Sequence, residues 1–376
     1  MMMYKTTTDA RKTTIESASF CPETGVKEWH IMLHPSPELN FEEQLRAVCE
    51  AYLHHKASAL PESCTALFAR CFMSDITNQA RPAEEALHEL FAGEGNAETA
   101  LSLVGQPPLN GSKIALWVYL STPRSEAYTH YFSASRRKSG GDSEAQTHQL
   151  FEEYEQELAA KGCSIELNCL RTWLFVRDVD VNYAGVVKGR RENFLTQGMN
   201  PQTHFIASTG IQGQSPRADE KVMMDTYAIK GLKREQVQYL YAKTHLNPTY
   251  EYNVTFERGV SMLYGDRRHV LISGTASIDN RGEILFPGDI RRQTQRMWEN
   301  VGALLSEAGC TFDDVAHMIV YLRDPADYRH VQALYEERFP ATPKVLLLAP
   351  VCRPGWLIEM ECMAVKGEAH PEFPAL

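Results

Sequence analysis

The sequence predicts an α+β fold made of three tandem copies of one unit, each a sheet with helices on a single face. Near the C-terminus the apolar pattern reads strand, strand, helix, strand, helix, strand, strand. The same helix and strand landmarks recur one unit earlier in the chain. The length fits as well: 376 residues overfill one hydrophobic core but divide into three domain-sized pieces of about 125.

The third copy, 250–367, is the clearest. Residues 251–257 and 269–273 are dense in β-formers and predict two paired strands. Asp289 stands where an N-cap side chain satisfies the first amide donors of a helix. Ile290, Thr294, Met297, Val301, Leu304, Leu305 and Ala308 then fall on one helical stripe, and Gly309 is placed to end it. A strand follows at 315–322. A second helix is marked by Tyr328, Val331, Leu334, Tyr335 and Phe339 and stopped by Pro340. Strands at 345–349 and 356–364 complete the unit.

The middle copy, 125–233, repeats these landmarks. Ala160-Lys161-Gly162-Cys163 matches Glu307-Ala308-Gly309-Cys310, and Leu174-Phe175-Val176-Arg177-Asp178 matches Val320-Tyr321-Leu322-Arg323-Asp324. The first copy, 12–124, is divergent, with a helix at 42–54, a strand at 67–73 and a late strand at 113–120. Polar stretches at 136–143 and 231–248 read as the joins. Both are too short for free linkers, so the units are expected to pack on one another.

Composition narrows the function. The 38 Lys and Arg face 48 Asp and Glu, for a net charge of −10. Phosphate backbones are gripped mainly by cationic side chains, so nucleic acid is not the expected partner. No run approaches the roughly 20 apolar residues that span a bilayer. The first fourteen residues are polar and lack the apolar centre of a secretion signal. Nine irregularly spaced cysteines, without a CxxC pair or a zinc-like His/Cys cluster, read as reduced and mostly buried. A cytoplasmic protein with no metal is expected.

Certain residues of the third copy resemble the Rid family, also called YjgF or L-PSP endoribonuclease-like. They are Ile272-Ser273-Gly274, Gln293 with Glu299-Asn300-Val301, Val320-Tyr321-Leu322-Arg323-Asp324 and Ile358-Glu359-Met360-Glu361. The resemblance implies a chorismate-mutase-like fold in which three units surround a central β-barrel with helices outside. Three copies in one chain then imply an intramolecular pseudo-trimer, monomeric or in a higher assembly, with small-molecule sites in the inter-unit clefts. The family's ribonuclease label finds no support, since neither a His pair suited to RNA cleavage nor a basic groove is present.

A narrower resemblance, to chorismatases, runs through Ser273-Gly274-Thr275-Ala276-Ser277-Ile278, Pro287-Gly288-Asp289, Cys352-Arg353-Pro354 with Glu359, and Gly189-Arg190-Arg191-Glu192-Asn193-Phe194. It implies a cofactor-independent hydrolase or lyase acting on chorismate or a similar small carboxylated metabolite. Glu359 is then the general acid, arginines hold the carboxylates, and Ser273, Gly274 and Cys352 belong to the substrate site.

The residues themselves permit this chemistry. Strand alternation puts Trp356, Ile358, Met360, Cys362 and Ala364 on one face, and Leu357, Glu359, Glu361 and Met363 on the other. The two carboxylates therefore point either to solvent or into an inter-unit cavity. In a cavity, burial and like-charge proximity raise one pKa and make a proton donor near neutrality. Arg190, Arg191, Arg258 and Arg353 are candidate carboxylate clamps or, equally, surface ion pairs; Arg190-Arg191 follow a predicted helix. Cys352 has no base nearby and reads as a wall residue. The 208–213 segment reads as a plain turn.

The simpler Rid deaminases of enamines and imines use an arginine fifteen residues before the final glutamate. Here that residue is Lys344, which keeps the charge but loses the bidentate fork, and the matching stretch of the middle unit, near Thr203, has no cation. An imine or enamine deaminase is therefore the second reading, and a non-catalytic metabolite-binding protein the third.

Overall fold

The structure is a computed structural model that describes residues 2–10, 12–92 and 99–376. Its first sheet contains β1 (Met3–Thr8), β2 (Thr14–Phe20), β3 (Glu28–His34), β4 (Thr65–Met73), β5 (Ala100–Gly105) and β6 (Ile114–Ser121). Two helices cover it, α1 (Phe41–Ala59) and α2 (Ile76–Ala92). Asn40 starts α1 through a capping box: its Oδ1 accepts the Glu43 amide at 3.0 Å, and Glu43 Oε2 accepts the Asn40 amide at 3.0 Å.

The second sheet holds β7 (Thr129–Arg137), β8 (Cys169–Val176), β9 (Ala207–Gln212) and β10 (Val222–Lys230), with α3 (Ser143–Ala160), the single turn α4 (Ile165–Asn168) and α5 (Val179–Thr196). The third holds β11 (Val237–Leu240), β12 (Gly259–Leu263), β13 (Arg267–Ala276), β14 (Val315–Leu322), β15 (Lys344–Leu348) and β16 (Ile358–Gly367), with α6 (Ile290–Glu307) and α7 (Tyr328–Arg338).

One connectivity recurs in all three: the strand orders include β3-β6-β4-β5, β7-β10-β8-β9 and β13-β16-β14-β15. In each, a helix crossover makes the last two strands of the order parallel, as β4–β5, β8–β9 and β14–β15. The helix ends also match. Cys163 N donates to Leu158 O at 2.9 Å and Cys310 N to Leu305 O at 2.8 Å. Between them and the helix, Gly162 and Gly309 adopt φ +68° and +70°, the left-handed conformation that closes a helix at least cost for glycine.

Alternation along each strand splits the core. Leu116, Val118 and Leu120 of β6 pack under α1 and α2, whereas Trp117 and Tyr119 face an interior shared with the other sheets. The sheets do not close into one barrel, contrary to the expectation from the resemblance. Among the described residues the backbone pairing between them is confined to isolated bridges, such as Gly105 to Gln214, Ala207 to Glu257 and Ile211 to Val351. The seams are held apart by side chains and clefts rather than zipped into a continuous ladder.

Other expectations also shift. Residues 251–257 do not form a strand: a 3-10 turn covers 249–252, Asn253 is left-handed at φ +63°, and β12 is the true partner of β13. The polar stretch 231–248 contains β11, and 136–143 is the turn from β7 into α3 rather than a join between sheets. All nine cysteines are free thiols, six of them buried. No described helix is long and apolar enough to cross a membrane.

A buried ion cluster ties the first sheet to the third. Glu28 Oε2 accepts from Arg267 Nη1 at 2.7 Å and faces His269 Nε2 at 2.8 Å, while Oε1 accepts the Tyr119 hydroxyl. Burial alone would raise the Glu28 pKa; the charge and hydrogen bond of His269, with Arg267 and Arg124, outweigh it and hold the carboxyl well below its usual range. A carboxyl depressed in this way stabilises the fold above its ordinary range, and that contribution is lost as the pH falls through it. Glu28→Ala leaves buried cations unpaired and is expected to cost about 3–5 kcal/mol in urea unfolding, with a flatter acid limb of the stability curve.

Candidate active site

Between Ile272 and Thr275 the register of β13 on β16 slips, so that Ser273 and Gly274 form an irregularity facing the second sheet. Ser273 Oγ accepts the Ser208 amide at 2.9 Å and donates to Glu257 O at 2.6 Å. The Gly274 amide donates to Thr209 Oγ1 at 2.9 Å. These bonds pin β9 against β13, and a cleft lies beside the seam.

Glu359, on β16, forms one wall of the cleft and is buried. Its face of the strand does point into an inter-sheet cavity, and Met360 on the other face accepts a hydrogen bond from the Tyr335 hydroxyl of α7 at 3.3 Å. Burial, and after it the charge of Glu361, push the Glu359 carboxyl up to about 8; Arg258 and Arg171 oppose the rise without cancelling it. It is thus a carboxylic acid at neutral pH.

Two buried arginines share the cleft. Arg190 comes from α5, with Nη1 3.3 Å from Ser208 Oγ. Arg191 is half-buried and does not line the cleft, because one residue further along a helix turns the side chain by about 100°. Both lie within α5 rather than after it. Arg258 stands just before β12 and is anchored by Nη2 donating to Asn247 O at 3.0 Å and Oδ1 at 3.2 Å. The aromatic ring of Phe256 lies beneath both, 5.8 Å from the Arg190 guanidinium and 5.5 Å from that of Arg258. Arg353 lines the cleft over Trp356, 4.9 Å from its ring.

Cys352 is also on the wall. Burial first, then the Glu359 charge, push its thiol up to about 12, so it is a neutral wall group and not a thiolate. Tyr183 of α5 was missed from the sequence. It enters the cleft against Gly210, where a Cβ would meet its ring at 2.8 Å, and burial keeps its phenol neutral. Ser208 and Gly210 thus belong to the cleft-lining strand β9, not to a plain turn.

Lys344 lies elsewhere, in a more open cleft between the first and third sheets, with Nζ 3.7 Å from Glu16. The register identifies its middle-sheet counterpart. Lys344 pairs with Met318, whose landmark match Thr172 pairs with Ser208, so the matching position is Ser208 rather than Thr203. It is again uncharged. Glu144, His148 and Glu192 are the group of three described residues that could hold a cation; they lie outside the cleft on α3 and α5, and Lys188 already pairs with Glu144 at 2.7 Å.

Gly274 touches Glu359 so closely that a Cβ there would collide with its Oε1. Gly274→Ala is expected to displace the carboxyl and cost about 1–3 kcal/mol of overpacking. A crystal structure of the variant would show Glu359 moved, and chemical denaturation would give the cost.

The family described as "Endoribonuclease L-PSP" matches residues 258–366. A RutC family protein of Pyrococcus abyssi is 35% identical over 99 residues, 26% of this chain and 78% of its own. The 3-aminoacrylate deaminase RutC of Acinetobacter baylyi is 31% identical over 97 residues, 25% of this chain and 77% of its own. A solved chorismatase structure superposes with a TM-score of 0.62 at 18% identity, over 82% of this chain and 96% of that one, which shows a shared fold. Through its third sheet and the helices α6 and α7, the chain belongs to the RutC family, the L-PSP endoribonuclease-like or Rid proteins.

Proposed function

We propose that the chain is a cofactor-independent, chorismatase-like hydrolase or lyase acting on a small carboxylated substrate at the cleft between the second and third sheets. One observation supports this most: a buried carboxyl with its pKa pushed to about 8 stands in a cleft with two buried arginines from different sheets. The fold shared with a chorismatase across 82% of the chain agrees with it. On this reading the segments 12–124, 125–233 and 250–367 are tandem Rid-like units, the monomer is an intramolecular pseudo-trimer, and the protein works in the cytosol on a small metabolite.

For an enol-ether substrate such as chorismate, Glu359 gives its proton to the methylene carbon. A C–H bond forms, and the positive charge falls on the neighbouring carbon and ether oxygen. Water adds to that carbon and loses a proton, which restores Glu359. The resulting hemiketal breaks its C–O bond to release pyruvate and the ring alcohol. Arg190 and Arg258 hold the carboxylates, and Cys352, Phe256 and Trp356 exclude bulk water from the proton transfer.

Release of pyruvate from chorismate or isochorismate, followed by a coupled assay, tests the reading. Wild-type activity should fall as the pH rises through about 8, because only the protonated acid works. Glu359→Gln should lose at least about 100-fold in kcat. Arg258→Lys should act mainly on KM, since it keeps the charge but not the fork. No pyruvate from either substrate would overturn the proposal.

The second reading, an imine or enamine deaminase, draws on the likeness to the Acinetobacter baylyi deaminase. Against it, Lys344 lies in a different cleft, where Glu16 neutralises it. Ammonia release from a freshly generated imine, with no pyruvate from chorismate, would favour it.

A further inference from the structure

Glu361 lies two residues beyond Glu359 on the same strand face, about 7 Å along it at the usual rise per residue. It does not line the candidate cleft. It lines a separate small cavity where all three sheets meet, walled by Phe68, Trp117 and Trp173 among others. Its two oxygens are held from outside its own sheet. Oε1 accepts the Trp173 indole N–H at 2.8 Å, and Oε2 accepts Arg171 Nη2 at 2.6 Å and the Thr209 hydroxyl. Arg70 of the first sheet puts Nη1 3.8 Å from Oε1.

Every one of these partners is a donor, so the ionised carboxylate is the form they fit. The other charged groups nearby do not undo this. Asp225 takes most of the Arg70 charge at 2.8 Å. His317 is kept neutral by burial, and burial likewise keeps Tyr321 and Cys362 neutral. On the cleft side Glu359 faces the cations Arg190, Arg258 and Arg353 and the neutral Cys352 and Tyr183. Thr209 links the two carboxyls: its hydroxyl donates to Glu361 while its Oγ1 accepts the amide of Gly274, the residue that seats Glu359.

We propose that Glu361 is the positioning residue for Glu359: a carboxylate clamped by Arg171, Trp173 and Thr209 two residues along the same strand face, which sets the charge that the acid faces, with Arg70 as the first sheet's contribution to the site. The first sheet lends no residue to the cleft wall, so this assigns it a part in setting the acid. The inference rests on the functional reading only in calling Glu359 the acid. Its test uses no substrate, so inactivity toward chorismate leaves it standing.

The experiment is a pH titration by difference infrared spectroscopy on the full chain, reading the protonated-carboxyl band of Glu359 as wild type minus Glu359→Gln. Other buried acids, Glu257 included, cancel in the difference. In wild type the band should be lost near pH 8. In Glu361→Gln its midpoint should fall by about one pH unit or more, the effect of removing a close like charge. An unchanged midpoint overturns the proposal. If Glu361→Gln does not fold, Glu359→Gln decides alone. With no new protonated band relative to wild type between pH 6 and 9, Glu361 is ionised as proposed; a new band there means that Glu361 takes the proton, and the proposal fails.

Discussion

Three sheets turn one face each toward a single shared interior, and that interior admits no unpaired charge. The chain meets this constraint with buried ionic links between each pair of sheets. Arg70 of the first pairs with Asp225 of the second at 2.8 Å; Arg171 of the second pairs with Glu361 of the third at 2.6 Å; Arg267 of the third pairs with Glu28 of the first at 2.7 Å. Apolar surface alone would let the sheets slide on one another. Ion pairs with no access to water are intolerant of displacement, so they fix which edge meets which.

The same constraint shapes the candidate site. A carboxyl with fixed cations all around it ionises, as Glu28 does. Glu359 is instead raised first by burial and then by the neighbouring carboxylate of Glu361, and Arg258 and Arg171 oppose the rise without cancelling it. Holding a proton up to about 8 has a cost: as the pH rises from the ordinary carboxylate range toward 8, the unfolded chain gives up a proton that the folded chain retains, so this residue opposes folding there. Glu28, depressed rather than raised, contributes stability over the same interval. A residue that weakens the fold at working pH needs a reason to stay, and on the proposed reading proton delivery supplies one.

Much of the third sheet could be read from the sequence. The stripe from Ile290 to Ala308, the run 315–322 and the stop at Pro340 each obey one strong local rule, and α6, β14 and α7 follow them closely. The first sheet was harder. α2 contains Pro82, β1 is polar and mostly exposed, and β3 is buried almost throughout and shows no alternation. Residues 251–257 misled because Val254 and Phe256 look like strand residues when they are cleft walls. Glu359, Arg190 and Arg258, singled out by the resemblance together with carboxylate chemistry, do line one cleft. The clamp on Glu361 was not legible, because it depends on which sheets meet. A signal did exist: Arg70 and Arg171 are lone charges in otherwise apolar strands, which a buried ion pair explains better than an exposed face.

The three seams also differ in a way that locates the chemistry. The first and second sheets are laced together, with Gly105 N donating to Gln214 O at 2.8 Å and Leu103 N to Ser135 Oγ at 3.1 Å. The third and first leave a larger cleft, but its cation Lys344 is answered by Glu16, so a ligand carboxylate would compete with a residue already in place. Between the second and third, an acid whose pKa is raised faces arginines, and those arginines enter from α5 and from the segment before β12, while β9 carries Ser208 where β15 carries Lys344. The three sheets share one strand order, and on the proposed reading charge decides which of their seams works. On the proposed reading, a cation moved off the edge strand leaves that edge to backbone and hydroxyl contacts. A ring can then lie along β9 while its carboxylates reach the two guanidinium groups on either side.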